Sequence, residues 1–340
     1  MDILQEKQLV SGDILRIIHW NASEKAPRKY ADYIAASMGS DHPHNNLYNL
    51  NGWRAYFNDA MNGLYFPEII DHWFIAEING ECAARVWFAY SNKSYRGNFG
   101  NVLTEPQFRK QGLMNELMHY CMEEIYRSPV RMLCCATGNR FAAATYIKSG
   151  FNLIYGGETG PLCFLKNGDF LSEAKQVYSG RKITEVRPGR ISDQFDCDKF
   201  LAYTPEIYHR KLSFRTGPAA QVEDFRLAFQ ETLSSRAVVC TALNEKKECC
   251  GYAFALLMHG MPVLDFTVHP AYLEDAPELI RKTADSFKEK SGVMPLYYGN
   301  ADDTEKNKVL QQAGMRNIAG KIHDGIICQG KTAELLVLQF

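Results

Sequence analysis

Two short stretches carry residues whose types and spacing could do chemistry. In PQFRKQGLMNELM (Pro106–Met118), Arg109 and Lys110 stand just ahead of Gly112 and of a run that turns apolar. Pro106 cannot donate to a sheet ladder and so ends a strand; a helix is expected to begin near Gln111. The first amides of a helix lack intrahelical partners and, with the helix dipole, can seat an anion. Gly112 would let a phosphate approach the backbone closely. The other reading is an amphipathic helix with a basic start, although cations there oppose the dipole by roughly a few tenths of a kcal/mol. The second stretch is NRFAAATYIKSGF (Asn139–Phe151), in which Asn139 opens a helix, Tyr146 lies seven residues on, and Gly150-Phe151 ends it. Proton-accepting carboxylates include Glu105, Glu77 and Glu158, each of which could equally be a solvated surface group. His42 and His44 in SDHPHNN lack a third ligand at sensible spacing and read as polar loop residues, so no metal is expected.

These residues need a frame, and the pattern supplies one. LRIIHW (Leu15–Trp20) reads as a strand, and EKAPRKYADYIAASM as a helix with Tyr30, Ile34 and Ala35 inward. The aromatic segment LYNLNGWRAYFNDAMNGLYFPEII follows. HWFIAEINGECAARVWFAY alternates around Asn79-Gly80, the signal of a type I′ hairpin. GNFGNVLTE is a strand, and RKQGLMNELMHYCMEEIYRS a helix with Leu113, Leu117, Cys121 and Ile125 on one face. VRMLCCAT, the Asn139 helix, and the pair FNLIYGG and PLCFLK complete the half; the glycines of YGGETG read as a hairpin turn. FLSEAKQVYSGRK, near residues 170–182, reads as a polar linker. Beyond it a similar order recurs, from KITEVRPG through the RAVVCTALNEKKECCGYAFALLMHG hairpin to AELLVLQF. A period of ~160 residues points to a duplicated domain rather than a solenoid.

At their mutual spacing, PQFRKQGLM and NRFAAATYIKSGF resemble the two signature segments of the GNAT superfamily of acyl-CoA N-acyltransferases. The first is similar to the family's [QR]-x-x-G-x-[GA] pyrophosphate motif preceded by Pro-x-aromatic. The second is similar to N-x-x-A-x-x-x-Y-x-x-x-G-F, with Asn139, Ala142, Tyr146, Gly150 and Phe151 in register. Met114 stands where the family prefers Gly or Ala, and Lys110 where Gly is frequent. The resemblance implies an α/β chain of the α+β type with two tandem domains, 1–172 and 173–340. Each would be a mixed, mostly antiparallel sheet flanked by helices. It also implies acetyl-CoA as acyl donor. Val102, Leu103 and Thr104 would splay from the strand Met132–Thr137 and offer backbone groups to pantetheine. The amides of Lys110, Gln111, Gly112, Leu113 and Met114, with the Arg109 side chain, would hold the pyrophosphate. Asn139 and Ala142 would lie along the pantetheine, Tyr146 would protonate the departing thiolate, and Glu105 is the carboxylate nearest that strand. Tyr48, Trp53, Tyr56, Phe57, Tyr65 and Phe66 would flank the acceptor, several of them as core. In the second half, aligning Pro270 with Pro106 places Leu273 at the Arg109 position, Ala276 at Gly112 and Leu310 at Tyr146, among Glu274, Asp275 and Glu278. That half resembles a degenerate copy. A non-catalytic acyl-CoA-binding protein is the alternative to an enzyme.

Composition narrows the partners. The 340 residues are 46% apolar and 23% charged with net charge −1, which disfavours a polyanion partner and favours a small-molecule amine over a nucleic acid. No apolar run is long enough for a membrane span, and the acidic N-terminus does not read as a signal peptide. A cytoplasmic protein, possible as a homodimer, is the expectation. In that compartment the ten cysteines are read as reduced, inert thiols.

Overall fold

The computed structural model describes residues 1–37, 55–154, 157–197, 224–233, 237–258, 260–328 and 331–340. Tyr48, Trp53, His42 and His44 lie outside the described residues. The chain divides into two compact units, Met1–Gly168 and Asp169–Phe340. Among the described residues no helix is long and apolar enough to cross a membrane.

Unit 1 is built on β1 (Asp2–Gln8), β2 (Ile14–Asn21), β3 (Ile69–Ile78), β4 (Glu81–Ser91), β5 (Arg96–Thr104), β6 (Met132–Thr137), β7 (Asn152–Leu153) and β8 (Gly160–Leu165). Their order in the sheet is β1-β2-β3-β4-β5-β6-β8-β7, antiparallel throughout except for the parallel pair β5–β6. The β3–β4 hairpin turns on Asn79 and Gly80, both at positive φ as a type I′ turn requires. Strands β3 and β4 are buried along nearly their whole length because helices cover both faces. On one face α2 (Leu113–Arg127) packs Leu113, Leu117, Cys121 and Ile125 onto Phe74, Val86 and Phe88. On the other lie Tyr30 of α1 (Arg28–Ser37), against Ile18 and Ile75, and the rings of Tyr56 and Phe57, against Trp87. The α3 helix (Arg140–Lys148) follows β6.

Unit 2 begins with α4 (Phe170–Val177) and β9 (Ile183–Pro188). After α5 (Asp224–Leu233) come β10 (Ala237–Asn244), β11 (Cys249–Met258), β12 (Met261–Val268), α6 (Ala276–Ser291), β13 (Leu296–Asn300), α7 (Thr304–Gln312), β14 (Arg316–Cys328) and β15 (Lys331–Gln339). Read from β9, its sheet runs β9-β10-β11-β12-β13-β15-β14 with one parallel pair, β12–β13. Read from β2, the first sheet has the same order, so both halves share one topology and unit 1 adds β1 at the edge.

Four expectations are corrected. Residues 170–177 form a helix rather than linker, capped by Asp169 accepting from the Ser172 amide. Its polarity misleads because Glu173 is buried while Leu171 is exposed, and Val177 and Tyr178 enter the second core. The α2 helix starts at Leu113, two residues late, because Lys110 and Gly112 are left-handed and cannot be helical. Ala35 faces solvent, although Tyr30 and Ile34 are buried. The strand β1 was not anticipated; as an edge strand it exposes most of its side chains and shows no apolar alternation.

Candidate active site

The site grows from a fork between two strands. The parallel β5–β6 ladder pairs Arg96 with Met132, Gly97 with Leu133 and Asn98 with Cys134, then stops. Beyond Asn98, β5 stays with β4 and parts from β6. A bulge in β5, between the pairs Arg85–Leu103 and Trp87–Gly100, puts Asn101 at φ 49°. Tyr146 of α3 packs its ring edge-on to Phe99 at 5.1 Å, just past the last paired residue. The phenol is buried, and burial first, then Cys135 on β6, pushes its pKa up, so it stays protonated at neutral pH. Asn139 caps α3, its Oδ1 accepting from the amides of Phe141 (2.9 Å) and Ala142 (3.4 Å). Ala142 is half-buried against the same core.

At the open end of β5 the chain makes a short 3-10 turn, Pro106–Phe108, and then a loop into α2. Lys110 (φ 64°) and Gly112 (φ 80°) are both left-handed. Such backbone turns successive N–H groups toward one point. The amides from Lys110 to Met114 find no hydrogen-bond partner among the described residues. They border a pocket of about 130 Å³ lined by Thr104 and the residues from Phe108 to Asn115. A Cβ at Gly112 would meet nothing within 4 Å, so the pocket opens directly over that backbone. Arg109 donates from Nε to the Thr104 carbonyl at 3.1 Å, which ties the basic side chain to the end of β5. Five unengaged amides and two cations form an anion cradle beside the fork.

Residues 43–151, which include the cradle and the Asn139–Phe151 segment, match the model of the acetyltransferase (GNAT) family. The match covers about a third of the chain and lies wholly within unit 1. No curated protein matches the chain. Among solved structures, the chain is similar to the ribosomal-protein-S5-alanine acetyltransferase from Vibrio fischeri. That likeness has 10% identity and a TM-score of 0.38 and covers 46% of this chain and 91% of that one. It is also similar to yncA from Salmonella typhimurium with its cofactor acetyl-CoA, at 15% identity and a TM-score of 0.38, covering 46% and 92%. A spermidine N-acetyltransferase from Vibrio cholerae, in complex with CoA and spermine, has 10% identity and a TM-score of 0.36 over 46% and 94%.

In unit 1, Val102, Leu103 and Thr104 sit half-buried on the splayed end of β5, with Arg109 to Met114 immediately beyond and Tyr146 at the fork. Of the three carboxylates, Glu105 is half-buried at the junction of β5 and the cradle, its amide bonded to the Ala83 carbonyl at 2.9 Å. Glu77 is buried and ion-paired to Lys29. Glu158 is exposed and lies 3.6 Å from Arg140. Of the aromatic segment, Tyr56, Phe57 and Tyr65 are core and Phe66 is exposed.

Several buried polar residues were not singled out from the sequence. His19 Nε2 and His72 Nδ1 lie 2.9 Å apart between β2 and β3, and burial lowers His72 to about 3, so the pair is neutral packing. The other is Arg85, buried on β4 with Asn101 and Tyr33 around it. A charged residue at an inward position of the otherwise apolar CAARVWFAY was its one visible signal. Nine described cysteines are free thiols, and Cys197 and Cys249 meet sulfur to sulfur at 3.7 Å.

Proposed function

We propose that unit 1 binds acetyl-CoA and transfers its acetyl group to a primary amine of a small molecule. The observation that carries this is the row of unengaged amides, Lys110 to Met114, open to a pocket at the mouth of the β5–β6 fork. Oriented donors plus Arg109 and Lys110 fit a pyrophosphate, and GNAT family membership of residues 43–151 supports the donor. The unpaired edge of β5 leaves backbone groups for an amide-bearing chain laid into the fork.

The chain's own groups then have defined tasks. The bulge at Asn101 and the fork hold the thioester carbonyl in reach of an amine. The amine nitrogen attacks that carbonyl, the carbon–sulfur bond breaks, the leaving thiolate takes the proton of the Tyr146 hydroxyl, and the proton that the new amide nitrogen sheds returns to the Tyr146 phenolate. A phenol with a raised pKa remains a loaded acid across the neutral range. Glu105 is the carboxylate placed to accept the proton that the ammonium must shed before attack. Unit 2 is read as a second copy of the same topology without the cradle.

Free-thiol release from acetyl-CoA across an amine panel tests this, alongside thermal shift with acetyl-CoA alone. Tyr146→Phe is expected to lower turnover by about 10²–10⁴-fold with the acetyl-CoA thermal shift kept. An unchanged rate removes Tyr146 from the mechanism. A thermal shift with no turnover of any amine would make the domain an acyl-CoA binder instead.

A further inference from the structure

The sheet face that carries α1 buries a guanidinium that forms no ion pair among the described residues. Arg85 on β4 is 3% exposed and stands opposite Leu103, on the splayed end of β5. Its Nε donates to Asn101 Oδ1 at 2.5 Å, and the Tyr33 ring of α1 lies over the guanidinium at 5.0 Å. Among the described residues its Nη1 is buried without a hydrogen-bond partner, and no carboxylate forms an ion pair with the guanidinium. Asn101 Nδ2, buried in the same cluster, also has no hydrogen-bond partner among the described residues. Burying a guanidinium without a carboxylate is costly, and proteins keep such groups where something completes them. The Tyr33 hydroxyl stands within hydrogen-bonding reach of both Arg85 and Glu105, and Glu105 itself forms no ion pair with the guanidinium.

Two orphaned donors thus converge where β4 meets the bulge of β5, with the Tyr33 hydroxyl and one acid beside them. A guanidinium fork matches a carboxylate in two parallel hydrogen bonds, and an amide N–H and a phenol add donors to the same oxygens. Glu105 lies one residue past the end of β5 and two after Leu103, which puts the acid within roughly 7 Å along the chain of the Arg85 row. Cation and anion at that spacing suit the two ends of a short zwitterion.

We infer that the acceptor of unit 1 is an amine that also carries a carboxylate, its carboxylate held by Arg85, Asn101 and Tyr33 and its amino end directed to Glu105 and the fork. This rests on the acetyltransfer reading above. Arg85 and Asn101 are specificity-determining residues here and do not take part in bond making.

The test compares amino acids with their own carboxamides, which differ only in the group that Arg85 would read. With wild-type protein and saturating acetyl-CoA, kcat/KM for thiol release should favour an acid over its amide by about 10²-fold. Arg85→Gln should raise KM for the acid by a similar factor, leave KM for the amide unchanged, and keep the acetyl-CoA thermal shift. It should also melt no lower than wild type, because an uncompensated buried charge is removed. Asn101→Gly is a second variant safe for the backbone, since glycine accepts φ 49°, and it should raise KM for the acid alone. Equal use of acid and amide overturns the inference. So does equal loss on both in Arg85→Gln, turnover confined to carboxylate-free or phosphorylated amines, or bound acetyl-CoA with no carboxylate-bearing amine consumed. Absence of any acetyl-CoA thermal shift in wild type instead fails the acetyltransfer reading itself, and this inference with it.

Discussion

The two units place the same elements around one parallel strand pair and use the space between them differently. In unit 1, β5 leads to a loop with two left-handed residues, and the α2 helix begins only after its amides have been left open. In unit 2, β12 runs into a 3-10 segment, Pro270–Asp275, that continues straight into α6 with no left-handed residue. The amides there are engaged: Ala271 donates to His269 Nδ1, Tyr272 to the His269 carbonyl and Ala276 to the Leu273 carbonyl. The Asp275 carboxylate accepts from the Ile183 amide. The fork itself is also filled. The β12–β13 ladder pairs only Val263 with Leu296, and beside it Lys306 of α7 lies 2.5 Å from buried Asp265 and under the rings of Phe266 and Tyr297. Counted back eight residues from the closing glycine of each helix, Lys306 stands where unit 1 has Ala142; four back, Leu310 stands where it has Tyr146. One fold can therefore keep or lose a ligand site through a few residues at the fork, while its sheet and helices stay in place.

The comparison breaks most sharply at Gly112. Gly112→Asp adds a side chain where φ is 80° and a negative charge inside the ring of amides, and the acetyl-CoA thermal shift should vanish. The converse change in unit 2, Glu274→Arg with Glu278→Lys, adds cations at exposed positions without freeing any amide. Calorimetric titration should still give one acetyl-CoA per chain. A stoichiometry of two would mean that charge, not backbone geometry, separates the units.

The next largest effect belongs to the filled fork. Lys306→Met leaves Asp265 buried without its partner, and the second unit should lose about 3–5 kcal/mol in chemical denaturation. The double change Asp265→Leu with Lys306→Met removes both charges and should recover most of that loss. If the double variant is as unstable as the single one, the pair is not what closes this fork.

Sequence reading succeeded where a residue's role is set by its own backbone. Asn79-Gly80, Gly112 and the cap at Asn139 are demanded by local geometry, so their types and spacing announce them. It failed where meaning depends on partners distant along the chain. Lys306 finds Asp265 41 residues away, and Arg85 finds Asn101 16 away across a bulge; neither residue alone signals a pair. The helix at Phe170–Val177 was missed for a related reason, since its buried face includes Glu173 and its exposed face Leu171, the reverse of the usual periodicity.

Lys110 sharpens the comparison by the smallest margin, because it carries both a cost and a use. A lysine at φ 64° is strained by roughly 1–2 kcal/mol. Lys110→Gly should relieve that strain and give back part of it to the greater freedom of the unfolded chain, for a net gain of about 1 kcal/mol or less. The same change removes a cation from the rim of the cradle, and acetyl-CoA affinity should fall by about 5-fold at low salt, an effect that fades as salt is raised. Stability and affinity would then move in opposite directions at one residue, as expected where strain is kept for binding. If both fall together, the left-handed turn is held by the lysine side chain itself, and the open amides of unit 1 depend on more than its backbone.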